Sequence, residues 1–177
     1  YARKNNKDGS GFRTVVYAGG PMYFSDIIEG VDQLGPIFVQ VYGQGECPMG
    51  ITVLPRYEVA DRKSKNWKLR LQSVGFAQSA VEVKIGNKAG SVSKPGETGE
   101  IMVRGDLVMP GYWNNRDATS KTIIDGWLMT GDVGSIDEDG YVTMHDRSKD
   151  MIISGGSNIY PREVEEILLL HKSVSEV

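Results

Sequence analysis

Arg13-Thr-Val-Val-Tyr-Ala18, then Met22 to Gln33, then Ile37-Phe-Val-Gln-Val-Tyr42: these three segments decide the fold. Four of the first six residues are β-branched or aromatic, which indicates a short buried strand. Ala18-Gly-Gly-Pro21 breaks it. Pro21 disfavours helix at Gly20 and can itself open one. Met22 to Gln33 carries helical spacing, with Ile27, Ile28 and Val31 on one side. Gly35-Pro36 ends that helix, and the next apolar strand closes at Gly43. Strand, helix and strand in so short a span predict a βαβ unit with parallel strands. Ligands of such sheets gather beyond the carboxyl ends of the strands. Both Ala18-Gly-Gly-Pro21 and Tyr42-Gly-Gln-Gly-Glu46 lie at such ends.

From about residue 56 helical periodicity fades, and short strands alternate with turn signals. Ala80 to Ile85 and Gly99 to Arg104 alternate in polarity. Val133–Ile136 and Tyr141–His145 flank Asp137-Glu-Asp-Gly140, whose Asp-Gly pair predicts a hairpin. This stretch is expected to form an antiparallel barrel or sandwich, with one short helix near Asn115–Ile123. Met151 to Ser154 reads as a final strand. Pro161 then opens an amphipathic helix with Val164, Ile167, Leu168 and His171 on one face. Arg162-Glu163 and Glu165-Glu166 are expected to face water.

The chain has 177 residues, 40% hydrophobic and 24% charged, the balance of an ordinary globular sequence. A net charge of −3 leaves no basic footprint, so nucleic acid is not an expected partner. Arg62-Lys-Ser-Lys65 with Lys68 reads as a solvated loop. A single cysteine, Cys47, excludes an internal disulfide and fits a reducing, cytoplasmic setting. No run approaches the ~18 apolar residues of a membrane span. The chain opens without methionine or a signal pattern and stops within Ser173-Val-Ser-Glu-Val177. Both ends read as cuts.

Several residue sets suit ligand chemistry, each with a plainer reading beside it. In Tyr42-Gly43-Gln44-Gly45-Glu46 the glycines allow close backbone approach to a flat ligand, and Tyr42 offers an aromatic face. Glu46 is a hard carboxylate suited to Mg²⁺. The same residues would also make a tight strand exit with an exposed glutamate. Gly19-Gly20-Pro21 could lie under a planar base or form a strand-to-helix turn. Asp132, after Thr130-Gly131, can accept both hydroxyls of a ribose diol, or bond its own turn backbone. Arg147 follows fifteen residues later, a spacing that a hairpin can close onto one ligand. An exposed ion pair is the alternative there. Cys47 has no identifiable base partner and reads as a buried structural cysteine. His145 and His171 read as packed or solvated, and no paired His/Cys metal spacing occurs.

Tyr42-Gly-Gln-Gly-Glu46, Trp127-Leu-Met-Thr-Gly-Asp132 and Asp146-Arg-Ser-Lys-Asp-Met-Ile-Ile-Ser-Gly-Gly-Ser-Asn-Ile-Tyr-Pro161, in this order and spacing, resemble the adenylate-forming enzymes. These are acyl-CoA synthetases, luciferases and nonribosomal peptide adenylation domains. Gly45 and the following Pro48-Met-Gly-Ile-Thr52 look more like fatty or aromatic acyl-CoA ligases than peptide adenylation domains.

The resemblance implies ATP, Mg²⁺, CoA and a small carboxylic acid as partners. Tyr42, Gly43, Gln44, Gly45 and Glu46 would wrap AMP, with Glu46 as the metal ligand. Gly19, Gly20 and Pro21 would lie under adenine, and Asp132 and Arg147 would hold the ribose. Lys149 would be a hinge rather than a chemical group, and Gly155 and Gly156 would give room to the pantetheine arm of CoA. Gly45 stands where the family has threonine, so a hydroxyl is missing.

The implied fold is α/β plus β. Residues 1–56 would be part of an α/β adenylate-binding subdomain, and 57–146 an antiparallel β-barrel-like subdomain. Residues 147–177 would be a hinge and the start of a small α+β C-terminal domain. The family's Gly/Ser/Thr-rich phosphate loop and its late catalytic lysine are not found in these residues. The chain alone is therefore expected not to make acyl-AMP. A non-catalytic AMP- or acyl-AMP-binding module, or a structural or interaction domain, are the alternatives.

Overall fold

The computed structural model describes residues 11–20, 22–86, 91–147, 150–154, 157–174 and 177. Its first two strands, β1 (Val15–Tyr17) and β2 (Phe38–Gln44), pair in parallel, and helix α1 (Phe24–Leu34) crosses between them. The helix forms on the expected face. Ile27 is fully buried, with Ile28 and Val31 packed beside it. Gly35, at φ +81°, ends the helix by donating its N–H to the Val31 carbonyl at 2.8 Å.

A third strand, β3 (Cys47–Leu54), goes beyond the sequence expectation. It folds back antiparallel on β2 through the two-residue turn Gly45-Glu46. Pro48 and Gly50 hide it from pattern reading, because neither belongs in a regular central strand. The ladder accommodates them in a bulge. It runs from Tyr42↔Thr52 to Gln44↔Cys47, so β3 takes five steps where β2 takes two. Two short helices, α2 (Arg56–Val59) and α3 (Trp67–Gln72), also escape periodicity, being shorter than two full turns. Each contributes one buried side chain, Val59 and Leu71, to a cluster with Ile27, Leu54 and Tyr141. Arg62 is not simply solvated. Its guanidinium lies 4.9 Å from the centre of the Trp67 ring, and its Nη1 donates to the Val59 carbonyl at 2.9 Å. Strand β4 (Phe76–Ala77) completes a four-stranded sheet in the order β1-β2-β3-β4.

The second sheet is antiparallel and curls into a half-barrel. It comprises β5 (Val81–Gly86), β6 (Gly99–Gly105), β7 (Ile123–Ile124), β8 (Trp127–Ile136) and β9 (Val142–Arg147). The order is β5-β6-β8-β7, with β9 also on β8. The β8–β9 hairpin turns at Asp137–Gly140 as its Asp-Gly pair indicates. Helix α4 (Arg116–Thr122) starts where expected, its first turn capped by Asn115 Oδ1, which accepts from the Ala118 N–H at 3.0 Å.

The sheets are joined through Val74-Gly75. Val74 N–H donates to the Val142 carbonyl at 2.8 Å, and Val142 N–H donates to the Gly75 carbonyl at 2.7 Å. The main core spans both sheets, with Tyr42, Cys47 and Ile51 from one and Val81, Ile101, Leu128 and Val142 from the other.

Two expectations about the C-terminal stretch are corrected. Met151–Ser154 is not the final strand: β10 (Ile152–Ser154) pairs antiparallel with β11 (Ser157–Ile159). Helix α5 (Pro161–Leu169) does begin at Pro161, but Glu165, expected to face water, does not. Val164, Ile167 and Leu168 are exposed, whereas Glu165 is half-buried and accepts from the Tyr23 hydroxyl at 3.4 Å. His171 lies beyond the helix end and is exposed.

Candidate functional site

The β8–β9 ladder sets Asp132 directly opposite Arg147. Arg147 Nε stands 3.5 Å from Asp132 Oδ1. From the first sheet, the Tyr42 hydroxyl donates to Asp132 Oδ2 at 2.6 Å. Three residues far apart in sequence thus meet on one carboxylate. The backbone that presents Asp132 is itself fixed. Thr130 Oγ1 donates to the Ile101 carbonyl at 2.7 Å and accepts from Asp132 N–H at 3.1 Å. Gly131, at φ +74°, donates its N–H to Glu100 at 2.9 Å. This turn chemistry is why a Thr-Gly-Asp sequence suits the position.

Asp132 is 4% exposed. Burial pushes its carboxyl above the usual aspartate value, against the Tyr42 hydrogen bond and the Arg147 charge, which lower it. The Tyr42 phenol is pushed up in turn, first by burial and then by the Asp132 charge, so it remains a donor. Beside them opens a cavity of about 480 Å³, lined by Gly19, Gly20, Tyr42, Asp132, Arg147 and Glu165. A Cβ at Gly19 or Gly20 would meet nothing within 4 Å, so bare backbone faces open space there. Asp146, which also lines the cavity, has a buried Oδ2 with no hydrogen-bond partner among the described residues.

The motif around Tyr42 divides between two surfaces. Tyr42, Gly43 and Gln44 belong to β2 rather than to a loop. A Cβ at Gly43 would lie 2.4 Å from Met49 N, so the bulge of β3 already requires glycine there. A Cβ at Gly45 would meet nothing within 4 Å, so a threonine would fit sterically where the glycine stands. Glu46 lines a second, polar cavity of about 440 Å³ with Gln44, Glu100, Lys121 and Thr130. Its Oε1 accepts from the Tyr112 hydroxyl at 2.5 Å, and its carbonyl accepts from Met109 N–H at 2.8 Å.

Sequence reasoning misses Tyr112. The only local signal is an aromatic pair, Tyr112-Trp113, inside the turn-rich run Pro110 to Asn115. Its contact with Glu46 spans 66 residues.

Among the described residues no group of three or more His, Cys, Asp or Glu could hold a metal ion. The donor set nevertheless suits Mg²⁺, which takes one or two carboxylates and completes its shell with water and substrate phosphates. Glu46 and Glu100 are the carboxylates lining the polar cavity, and Glu46 is the one the sequence motif points to. Cys47 is fully buried and burial pushes its thiol up, which disfavours the thiolate. His145 Nε2 lies 3.2 Å from Ser135 Oγ, and its ring stacks on Tyr160 with centroids 5.5 Å apart. Pro21, Lys149, Gly155 and Gly156 lie outside the described residues. No helix among the described residues is long and apolar enough to cross a membrane.

A cavity at the strand ends, with a buried carboxylate facing a guanidinium across a hairpin, is the candidate ligand site. The family model of the AMP-binding enzymes matches residues 1–113, and the chain belongs to that family. Among its relatives is the medium/long-chain-fatty-acid–CoA ligase FadD8 of Mycobacterium tuberculosis. It is 42% identical over 173 residues, which are 98% of this chain and 29% of that enzyme.

The amide bond synthetase McbA from Marinactinospora thermotolerans superposes with a TM-score of 0.84 at 34% identity, covering 97% of this chain and 33% of that one. The o-succinylbenzoate CoA synthetase MenE from Bacillus subtilis, solved with its acyl-adenylate intermediate, gives 0.80 at 38% identity, covering 93% and 32%. The chain therefore spans about a third of the length of the proteins it matches.

Proposed function

We propose that these residues form the nucleotide side of an AMP-forming acid:CoA ligase. The observation that carries the reading is the meeting of Tyr42, Asp132 and Arg147 beside the open glycine backbone at Gly19-Gly20. Asp132 accepts the two ribose hydroxyls, and Arg147 adds donors to ribose and phosphate. Tyr42 holds Asp132 and presents its ring to the adenine side, while Gly19 and Gly20 leave space for the base, a role the family resemblance extends to Pro21. Glu46 would hold Mg²⁺, which would supply positive charge toward the phosphate oxygens. Lys149 serves as the hinge before the C-terminal element, and Gly155 and Gly156 admit the pantetheine arm of CoA.

In the reaction a carboxylate oxygen attacks the α-phosphorus of ATP, the bond to the bridging oxygen breaks, and pyrophosphate leaves. The CoA thiolate then attacks the acyl carbon, and AMP leaves with the oxygen that linked it. The likeness to an amide bond synthetase supports a second reading of that last step, with an amine in place of the thiol.

The test uses the full native protein that carries these residues, with a medium-chain fatty acid and 2-succinylbenzoate as probe acids. The expected result is acid-dependent ATP–pyrophosphate exchange, followed by thioester formation when CoA is added. Exchange with no acyl-CoA but with amide formed on added amine would move the assignment to the second reading. Absence of exchange with every acid tried would overturn both. The 177 residues alone are expected to give exchange at background only; a rate above background would show that they carry the whole adenylating machinery.

A further inference from the structure

We propose that Tyr112 is a positioning residue for Glu46, holding its carboxylate in the orientation in which it meets the divalent cation of the nucleotide. The inference rests on the ligase reading above and adds to it a side chain from outside the β2–β3 turn.

Glu46 sits in a two-residue turn, where a flexible side chain would otherwise sample many rotamers. The segment from Gly105 to Thr119 grips it twice. Met109 N–H donates to its carbonyl at 2.8 Å, and the Tyr112 hydroxyl donates to Oε1. That segment is itself built rigidly. A Cβ at Gly50 of β3 would lie 2.7 Å from Leu107 Cδ1, so Leu107 is seated against the bulge. Gly111, at φ +148°, lets the chain pass Thr119, whose side chain would lie 2.8 Å from a Cβ there. Thr119 Oγ1 then accepts from Tyr112 N–H at 2.9 Å and donates to the Asn115 carbonyl at 2.8 Å. Asn115 in turn caps α4. The tyrosine is therefore placed by a chain of bonds that ends in a helix cap.

An ionised carboxylate has about four acceptor sites, so one bond from Tyr112 leaves capacity for a cation. Fixing a ligand's rotamer before the metal arrives spares the ordering cost at binding.

The experiment is calorimetric titration of the full native protein with ATP, without any acid, once in Mg²⁺ and once in EDTA. Mg²⁺ is expected to tighten ATP binding to the wild type. Tyr112→Phe is expected to shrink that gain about fivefold, the size of one ordinary hydrogen bond, while affinity in EDTA and the melting temperature stay unchanged. In a Glu46→Gln background the same substitution is expected to add nothing. An equal loss in Mg²⁺ and EDTA, or a full Mg²⁺ gain in Tyr112→Phe, would overturn the positioning role. A wild type that binds no ATP under either condition would overturn the ligase reading itself, and the inference with it.

Discussion

Replacing Asp132 by asparagine is expected to weaken AMP binding by about 30- to 150-fold, the equivalent of about 2–3 kcal/mol, while the melting temperature holds or rises. The two effects have separate causes. On the proposed reading the carboxylate accepts two ribose hydroxyls, and bonds to a charged acceptor are each worth about 1.5–3 kcal/mol. Asparagine keeps one acceptor oxygen and loses the charge, so the net loss falls below the sum of two such bonds. Stability runs the other way. Asp132 is almost fully buried, and burial is the largest influence on its carboxyl, raising it above the ordinary value. A raised carboxyl favours the protonated form in the fold. Its contribution is then best below the ordinary aspartate range and is lost as pH rises through the raised value. At neutral pH the charge therefore costs the unliganded protein stability. The facing Arg147 is 60% exposed and offsets little of this.

The same shift sets a pH dependence. If Asp132 holds the ribose as proposed, binding needs the ionised carboxylate, so AMP affinity should fall on acidification, beginning at higher pH than an unperturbed aspartate would give. Calorimetry with AMP across acidic to neutral pH, alongside thermal melts, measures both. Undiminished affinity in Asp132→Asn would remove the carboxylate from the ribose site. A matched loss of affinity and melting temperature would make Asp132 a structural residue instead.

Why Asp132 can be found in the sequence, and Tyr112 cannot, follows from how each is placed. Fifteen residues separate Asp132 from Arg147, and a hairpin with an Asp-Gly turn brings that spacing to a cross-strand pair. Local rules also suffice for β1-α1-β2, where strand composition, Gly-Pro breaks and a helical stripe agree. They fail at β3, where Pro48 and Gly50 contradict strand propensity and only the pairing with β2 explains the conformation. Turn and bulge residues there serve the ladder. Gly43, which in sequence suggests room for a ligand, is also demanded by the backbone of Met49.

Helix α5 shows the reverse failure. Its periodicity is real, yet Glu165 turns toward the cavity while Val164, Ile167 and Leu168 remain exposed. An amphipathic pattern fixes which residues share a face but not what that face meets. Tyr112 depends on Glu46 through a contact of long sequence separation, which no local pattern reports.

Gly75→Ala is expected to be the most destabilising glycine-to-alanine change among the described residues, lowering stability by more than about 4 kcal/mol. Gly75 sits at φ +88°, and a Cβ there would lie 2.0 Å from the Val53 carbonyl oxygen, 2.2 Å from its carbon and 2.5 Å from Leu54 N. All three atoms are backbone of β3, which cannot rotate aside as a side chain could. The left-handed conformation alone costs about 1 kcal/mol for alanine. Gly140→Ala isolates that smaller cost, because Gly140 has φ +86° and nothing within 4 Å of its Cβ.

Against a typical total of about 5–15 kcal/mol, the Gly75 change should leave little folded protein near physiological temperature, whereas Gly140→Ala should shift the melt by only a few degrees. Urea melts of the two variants in the full protein provide the comparison. Equal losses would mean that β3 can yield around the added methyl. The consequence for the site is direct. The Gly75 carbonyl holds Val142 at the start of β9, and Arg147 closes the same strand. Forcing β3 and the Val74-Gly75 segment apart would therefore pull Arg147 away from Asp132 and Tyr42. Residual folded Gly75→Ala protein should then bind AMP more weakly than wild type, although the substitution touches none of the three.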